Sequence, residues 1–294
     1  MWLGLACGSA LFAGITAILA KMGIKNTDST LATAIRTAVV LLFSWLLVFL
    51  TGAAAGIDTV GVITWIFLIL SGIATGASWL CYFKALHLGD VNQVAPVDKS
   101  STVLTILLAF LLLGEPITLF KGIGAAVIAT GTWLMAAPIS AGGSRAPVAA
   151  KEKAGHGWFL FAALSAIFAS LTSILGKIGI EGVDSNLGTA VRTAVVLVMA
   201  WMMVLISGKQ REIRKIDGKS WIFILLSGIT TGLSWLCYYK ALQEGPASVV
   251  VPIDKLSILV TVAFSRIFLK EKLTAASAAG LALITAGTLV LLLP

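Results

Sequence analysis

Two sets of three charged residues, with the same spacing, lie inside long apolar segments of the sequence. The sets are Arg36, Asp98, Lys99 and Arg192, Asp254, Lys255. A charged side chain costs about 3 kcal/mol at the centre of a bilayer unless it is paired or hydrated. If the apolar segments cross a membrane, binding or transport chemistry is therefore expected at these positions.

The arginines and aspartates are predicted to form two buried ion pairs, Arg36 with Asp98 and Arg192 with Asp254. Arg36 lies about six residues past Thr30, and Asp98 lies about seven past Val91, which places each roughly 10 Å deep at 1.5 Å per residue. The same argument applies to Arg192 and Asp254. Both pairs have a simple structural interpretation, because an ion pair would fix helix register and membrane insertion.

Lys99 and Lys255 are left over by this pairing. They either extend their ammonium groups to the membrane surface or line a hydrated cavity. In the second case, the excess of positive charge favours a substrate with a carboxylate or another anionic group.

Aromatic and hydroxyl side chains recur near the ends of the third and eighth apolar segments. Two interpretations stay open, because Trp and Tyr also form belts at the lipid interface, whereas the alternative places them around a substrate. The candidates for the substrate cavity are Ser78, Trp79, Tyr82, Ser234, Trp235 and Tyr238.

Pro96 and Pro252 precede the two Asp-Lys pairs. Proline leaves a carbonyl without its helical partner and kinks the helix, which membrane proteins tolerate beside protein or cavity water. We predict that both prolines kink gating helices, with simple curvature as the alternative. Glu115 and Glu271 are predicted to anchor loops at helix N-termini, where a carboxylate is favourable.

The composition identifies the elements that must hold these residues. Of the 294 residues, 59% are hydrophobic and 12% are charged, and the mean hydropathy is +1.01. Soluble domains carry about 25% charged residues, so a soluble enzyme, a disordered protein and a disulfide scaffold are excluded. Ten apolar runs of spanning length cover 2–20, 31–50, 60–80, 91–113, 118–137, 158–176, 187–206, 221–242, 247–269 and 275–293.

The two halves of the chain repeat each other without a gap. Lys21 corresponds to Lys177, which gives an offset of 156 residues (177 minus 21), and IRTAVVL at 35–41 corresponds to VRTAVVL at 191–197. Five spans in each half is an odd number, so the second half enters the membrane from the opposite face, as in many secondary transporters. The sequence therefore predicts an all-α membrane protein of ten helices in two inverted five-helix repeats, 1–138 and 158–294, joined by a polar linker at 139–157.

Charge between the spans predicts orientation and excludes other partners. The net charge of +8 comes mainly from Lys and Arg between apolar runs, so it indicates topology and not a nucleic acid partner. The side reached after odd-numbered spans carries more of these residues, which makes it cytoplasmic and places both termini outside. No catalytic triad, metal-ligand spacing, phosphate loop or dinucleotide motif is present, so neither an enzyme nor a cofactor or metal is expected.

The runs APVDKSSTVLTILLAFLLLGE at 95–115 and VPIDKLSILVTVAFSRIFLKE at 251–271 resemble the EamA-type repeat of the drug/metabolite transporter superfamily. The resemblance implies a ten-helix basket with the fifth and tenth helices outside the central cavity. It also implies export or exchange of amino acids or other small metabolites, and cytoplasmic termini, which conflict with the charge distribution. SGIATGASWLCYFKAL at 71–86 is similar to a branch that includes half-length proteins, which would pair in opposed orientations.

These observations predict a multi-pass secondary-active transporter of the cell membrane. It would move small metabolites such as amino acids or other carboxylate-bearing solutes by alternating access, as a monomer or homodimer in the lipid bilayer. A component of a flippase for lipid-linked substrates and a non-transporting membrane scaffold are the alternatives. A natural duplication and an engineered fusion would both give the repeated halves.

Overall fold

The computed structural model describes residues 1–24, 27–88, 94, 97–136, 157–268 and 275–293. Within these ranges every regular element is a helix. The first half contains α1 (Trp2–Gly23), α2 (Ser29–Leu50), a 3-10 helix (Ala53–Thr59), α3 (Val62–Leu88), α4 (Ser101–Leu113) and α5 (Leu119–Ala136). The second half contains α6 (Gly157–Gly179), α7 (Ser185–Ile206), a 3-10 helix (Lys209–Lys215), α8 (Gly218–Glu244), α9 (Ala247–Lys255), α10 (Ser257–Phe268) and α11 (Ala275–Val290).

The helices have the length and the outer surface of membrane spans. Seven segments among the described residues are long and apolar enough to cross a bilayer, one of them running through α9 into α10, and α5 and α11 contain shorter apolar stretches. Large apolar side chains face outward, for example Leu42, Val62 and Ile206, which are 73%, 74% and 79% exposed. In water such exposure would be costly, so the protein is a membrane-embedded helical protein.

The two halves interlock, because the most extensive helix contacts join one half to the other. Helix α3 packs on α6, and α1 packs in the same way on α8. Helices α2 and α7 pack on each other, as do α5 and α11. Each contact maps onto itself or onto another when the halves are exchanged, so the sequence repeat is also a repeat of contacts.

Equivalent aspartates start the second helix of each half. The Asp28 carboxylate accepts hydrogen bonds from the backbone amides of Thr30 and Leu31 at 3.0 and 3.1 Å. Asp184 caps α7 with the same pattern. These side chains satisfy amides that have no partner within the helix, which explains why both helices begin at the residue after an aspartate.

Glycines permit the close approach of α3 to α7 and of α8 to α2. A Cβ atom on Gly72 would lie 2.7 Å from Cβ of Val195, and one on Gly228 would lie 2.6 Å from Cβ of Val39. Val39 and Val195 are equivalent under the repeat. The GxxxG motifs of α3 and α8 thus mark close helix packing, which is their usual role.

Helical order breaks directly after each Asp-Lys pair. Helix α9 ends at Lys255 and α10 begins at Ser257, with the Leu256 amide donating to the Ile253 carbonyl at 2.9 Å. In the first half Ser100 forms the corresponding turn before α4. Pro252 lies inside α9. The helix therefore breaks four residues after the proline and not in the turn before it. Pro96 lies outside the described residues.

Candidate functional site

A cavity of about 260 Å³ lies between the two halves. Both halves supply equivalent residues to its wall, all of them small, hydroxyl or aromatic. These pairs are Ala13 and Ala169, Ser78 and Ser234, and Trp79 and Trp235. The tryptophans therefore line the cavity between the halves.

The remaining wall carries the charge of the cavity, and it comes mainly from the second half. Apart from Thr75 of α3, these residues come from α6, α7, α8 and the end of α9. This part consists of Thr75, Thr172, Ser173, Arg192, Tyr238, Tyr239, Asp254 and Lys255. Tyr82, Asp98 and Lys99, the first-half equivalents of three of these residues, lie outside the lining.

A larger groove of about 470 Å³ lies against the 3-10 helix of the second half, at Gln210, Arg211, Ile213 and Arg214. None of the intramembrane charges borders it. The cavity between the halves is therefore the better candidate for a binding site, since it brings charge, aromatic faces and hydroxyl groups together.

Serines hold both aspartates in place. Ser9 donates to Asp254 Oδ1 at 2.6 Å, and its hydroxyl lies 3.2 Å from that of Ser234. The equivalent Ser165 donates to Asp98 Oδ1 at 2.6 Å. In each case the serine and the aspartate come from opposite halves.

The predicted Arg–Asp ion pairs are wrong. Among the described residues, no ion pair joins Arg36 to Asp98 or Arg192 to Asp254. Equal depth in the membrane was the basis of the pairing, but two residues at one depth can face different neighbours. The carboxylates turn toward the serines of α1 and α6 instead.

Arg192 is held by the opposite half of the molecule. Its Nε donates to Ser71 Oγ at 2.9 Å, and its Nη2 donates to Thr75 Oγ1 at 2.6 Å. The guanidinium carbon lies 5.1 Å from the ring centre of Trp235 and 4.6 Å from that of Tyr239. Only 2% of the residue is exposed, so this is a buried cation that lies over two aromatic rings.

Arg36 has a different environment from its equivalent. It is half-buried and lies outside the cavity lining. Phe83 stands where the second half has Tyr239. Ser227, the equivalent of Ser71, donates to the Ile224 carbonyl of its own helix at 2.7 Å. The two arginines therefore occupy the same sequence position but different sites.

The lysines and tyrosines divide in the same way. Lys255 and Tyr238 line the cavity, and the Tyr238 hydroxyl lies 2.8 Å from Ser173 Oγ. Lys99 lies outside the cavity lining, and Tyr82 packs edge-on against Phe83 with ring centres 6.0 Å apart. Of the predicted cavity residues, only those of the second half and the Ser78–Trp79 pair reach the cavity.

Sequence reasoning missed Ser9, Ser165, Ser71 and Tyr239. Serines inside apolar runs are common packing residues, so a single serine carries little information. The repeat held a usable signal, because Ser9 and Ser165 are equivalent and persist in both halves. Tyr239 carries the opposite signal, because the equivalent residue of the first half is Phe83 and the hydroxyl is therefore not repeated.

Glu115 caps a helix of the other half. Its carboxylate accepts from the Ala247 amide at 2.6 Å and the Ser248 amide at 3.1 Å, and the Ser248 hydroxyl also donates to it. Lys177 Nζ lies 3.8 Å away. Glu115 therefore lies at a helix N-terminus, but at that of α9 and not at that of α5, the next helix in the sequence. Glu271 lies outside the described residues.

Family and sequence comparisons agree with this architecture. The model of the EamA-like transporter family matches twice, over residues 1–137 and 156–293. An uncharacterized transporter in the cobO 3' region of a Sinorhizobium species is 42% identical over 134 residues, which are 46% of this chain and 95% of that protein. That relative is therefore about as long as one repeat.

Two more comparisons extend the range of similarity. An uncharacterized protein of Methanocaldococcus jannaschii is 36% identical over 83 residues, which are 28% of this chain and 61% of that protein. A protein of known crystal structure shares the fold with a TM-score of 0.73 and 19% identity, over 98% of this chain and 95% of the other.

Proposed function

The chain belongs to the EamA-like transporter family, and on this premise we propose that it is a secondary-active transporter of small, carboxylate-bearing metabolites such as amino acids. Transport proceeds by alternating access in the cell membrane, as export or exchange. One chain supplies both halves of the pathway, whether the protein is a monomer or a homodimer.

The observation that carries this proposal is the cavity shared by the two repeats. Equivalent residues of both halves face each other across it, as Ser78 and Ser234 do. In transporters built from inverted repeats, the substrate site lies at the interface between the repeats. A scaffold has no requirement for a polar, charged space at that place.

Ten spans in an inverted 5+5 arrangement form the second part of the proposal. Contacts between helix ends support it, because they join positions that this arrangement puts on one side of the membrane. Lys209 Nζ lies 3.6 Å from Asp28 Oδ2 on one side. On the other side, the Gln243 amide donates to the Ile180 carbonyl at 2.7 Å.

The broken helices support a transport role for the Asp-Lys pairs. Interrupted spans in transporters expose backbone groups to substrates and ions near the middle of the membrane. Here the breaks at Ser100 and Leu256 directly follow Lys99 and Lys255. A hydrated cavity keeps such irregular backbone tolerable inside the bilayer.

Alternating access also accounts for the unequal halves of the cavity. Asp254 and Lys255 line it, whereas Asp98 and Lys99 do not. If each repeat took the conformation of the other, Asp98 and Lys99 would line the cavity, and Asp254 and Lys255 would leave it. The asymmetry is then that of one conformational state.

Counterflow in proteoliposomes tests the proposal. Vesicles preloaded with unlabelled solute should accumulate the labelled form of one or more members of a panel of amino acids and organic anions, and protein-free vesicles should not. Transfer of a labelled lipid between leaflets without counterflow would indicate the flippase alternative. Absence of both activities in correctly folded protein would favour the scaffold.

A further inference from the structure

We propose that Arg192 is the binding site for the carboxylate of the transported solute. This inference rests on the proposed function and deepens it, because it assigns the anion to one residue of the second half. The sequence had attributed any anion preference to the two lysines.

The donors of Arg192 are only partly used. A guanidinium carries five N–H donors in one plane and accepts no hydrogen bonds. Nε and Nη2 donate to Ser71 and Thr75, which fixes the group. Nη1 is buried and has no hydrogen-bond partner within the part of the chain that the structure describes. Such a charged donor is costly to leave unpaired, so the site favours an acceptor.

The surroundings of Arg192 decide which of its donors a ligand can use. Trp235 and Tyr239 lie close to the guanidinium, 5.1 and 4.6 Å from its central carbon. Because Ser71 and Thr75 take up donors of Nε and Nη2, the donors of Nη1 remain for a ligand. A planar carboxylate fits the guanidinium better than a tetrahedral anion, since it matches the fork of the guanidinium.

The charge of the cavity also favours an anion. Among the described residues, its lining contains two cations, Arg192 and Lys255, and one carboxylate, Asp254, which gives a formal charge of +1 (two minus one). Asp254 already accepts a hydrogen bond from Ser9 at 2.6 Å. Trp79 and Trp235 offer apolar surface beside this charge, so the ligand class is a monocarboxylate with an apolar body.

A purely structural role would not explain the difference between the two arginines. Arg36 keeps the same sequence position but has Phe83 in place of the tyrosine that contacts Arg192. If the arginine only fixed helix register, both halves would need the same clamp. Arg36 therefore provides a matched control.

Binding of labelled benzoate to the purified protein in detergent tests the site, with benzamide as the neutral isostere. We expect the wild type to bind benzoate at least about tenfold more tightly than benzamide. R192Q should weaken benzoate binding by about tenfold or more, whereas R36Q should change it by less than about twofold. Equal binding of benzoate and benzamide, or full binding by R192Q, would overturn the assignment.

A second variant keeps the test decisive if R192Q does not fold. Lys255 is exposed, so K255Q should fold. It should weaken benzoate binding by only about threefold, through the loss of a neighbouring charge, and it should keep the preference over benzamide. Loss of that preference in K255Q would assign the anion to the lysine and reject Arg192.

The outcomes separate this inference from the proposed function. Benzoate binding through Arg192 without counterflow of any carboxylate would retain the site and reject transport. Counterflow of carboxylates with no preference for benzoate over benzamide in the binding assay would retain transport and reject the site.

Discussion

Ser9 and Ser165 each donate a hydrogen bond to an aspartate of the opposite half, Asp254 and Asp98. Both serines are completely buried. A hydrogen bond to a charged group contributes more than one between neutral groups. These two bonds therefore stabilise the contact between the repeats and fix both Asp-Lys segments, of which the second lines the cavity.

Removal of either serine hydroxyl should destabilise the protein. We expect S9A and S165A each to lower the free energy of unfolding by about 1–3 kcal/mol, because an aspartate loses its donor. Thermal unfolding of the purified protein in detergent measures the effect as a lower Tm. S207A is the matched control, since Ser207 is exposed and donates to its own helix. Equal Tm values for S165A and S207A would contradict the prediction.

The sequence placed the charged residues correctly inside the spans but not their partners. Counting residues from the start of a helix gives the depth of Asp254, yet it does not give the side of the helix that faces a neighbour. The side that faces a neighbour depends on how the helices pack. The Ser9–Asp254 bond crosses 245 residues of sequence, and no local pattern predicts such a contact.

Glycines set the distance between α5 and α11, the last helix of each half. A Cβ atom on Gly124 would lie 2.8 Å from the Gly287 carbonyl oxygen, and one on Gly287 would lie 2.9 Å from the Gly124 carbonyl oxygen. Backbone atoms cannot move aside as a flexible side chain can. The two helices therefore touch through their backbones, as small residues permit in membranes.

Two glycines of α5 give a paired test of this packing. G124A should lower the free energy of unfolding by about 1–3 kcal/mol, because the added methyl group forces the helices apart. G122A should be neutral or stabilising by up to about 1 kcal/mol, since nothing lies within 4 Å of its Cβ position and alanine favours the helix. Chemical unfolding in mixed micelles would show the difference, and equal effects would refute a backbone contact.

Periodicity and length predicted the helical segments but not their interruptions. In the run at 247–269, Pro252 and the Asp254-Lys255 pair indicated a disturbance before Leu256, but they did not give its position. A proline removes one hydrogen bond of the helix, but the surrounding packing decides where the chain turns. The turn occurs where Leu256 donates to the Ile253 carbonyl.

At the scale of the whole molecule, the two halves form one interlocked body. Each of the first three helices packs on helices of the other half, and the cavity belongs to both. The repeat at a constant offset of 156 residues made this organisation predictable. The unequal roles of Arg36 and Arg192 were not predictable, because they depend on side-chain contacts that differ between the halves.

The two 3-10 helices predict the orientation of the molecule. Residues 209–215 read KQREIRK, whereas the equivalent residues 53–59 read AAAGIDT. A hydrogen bond with Glu212 and the nearby Asp28 carboxylate raise the pKa of Lys209 further above neutrality, where lysine is already protonated. By the positive-inside rule, we predict that this loop is cytoplasmic and that the termini lie outside.

Fusion reporters test this orientation. Alkaline phosphatase at the C-terminus should be active, and a fluorescent protein at the same position should be dark, because the C-terminus lies outside the cytoplasm. Reporters inserted into the basic loop at 209–215 should give the opposite result. A fluorescent C-terminal fusion would reverse the orientation and agree instead with the usual topology of the family that the sequence resembles.

The cap that Glu115 provides for α9 has a consequence for synthesis in the cell. Its partner Ser248 follows 133 residues later, which at roughly 5–20 residues per second takes about 7 to 27 s. During that interval Glu115 lacks the amides of Ala247 and Ser248 that later donate to it. This contact between the two halves can therefore form only late in synthesis.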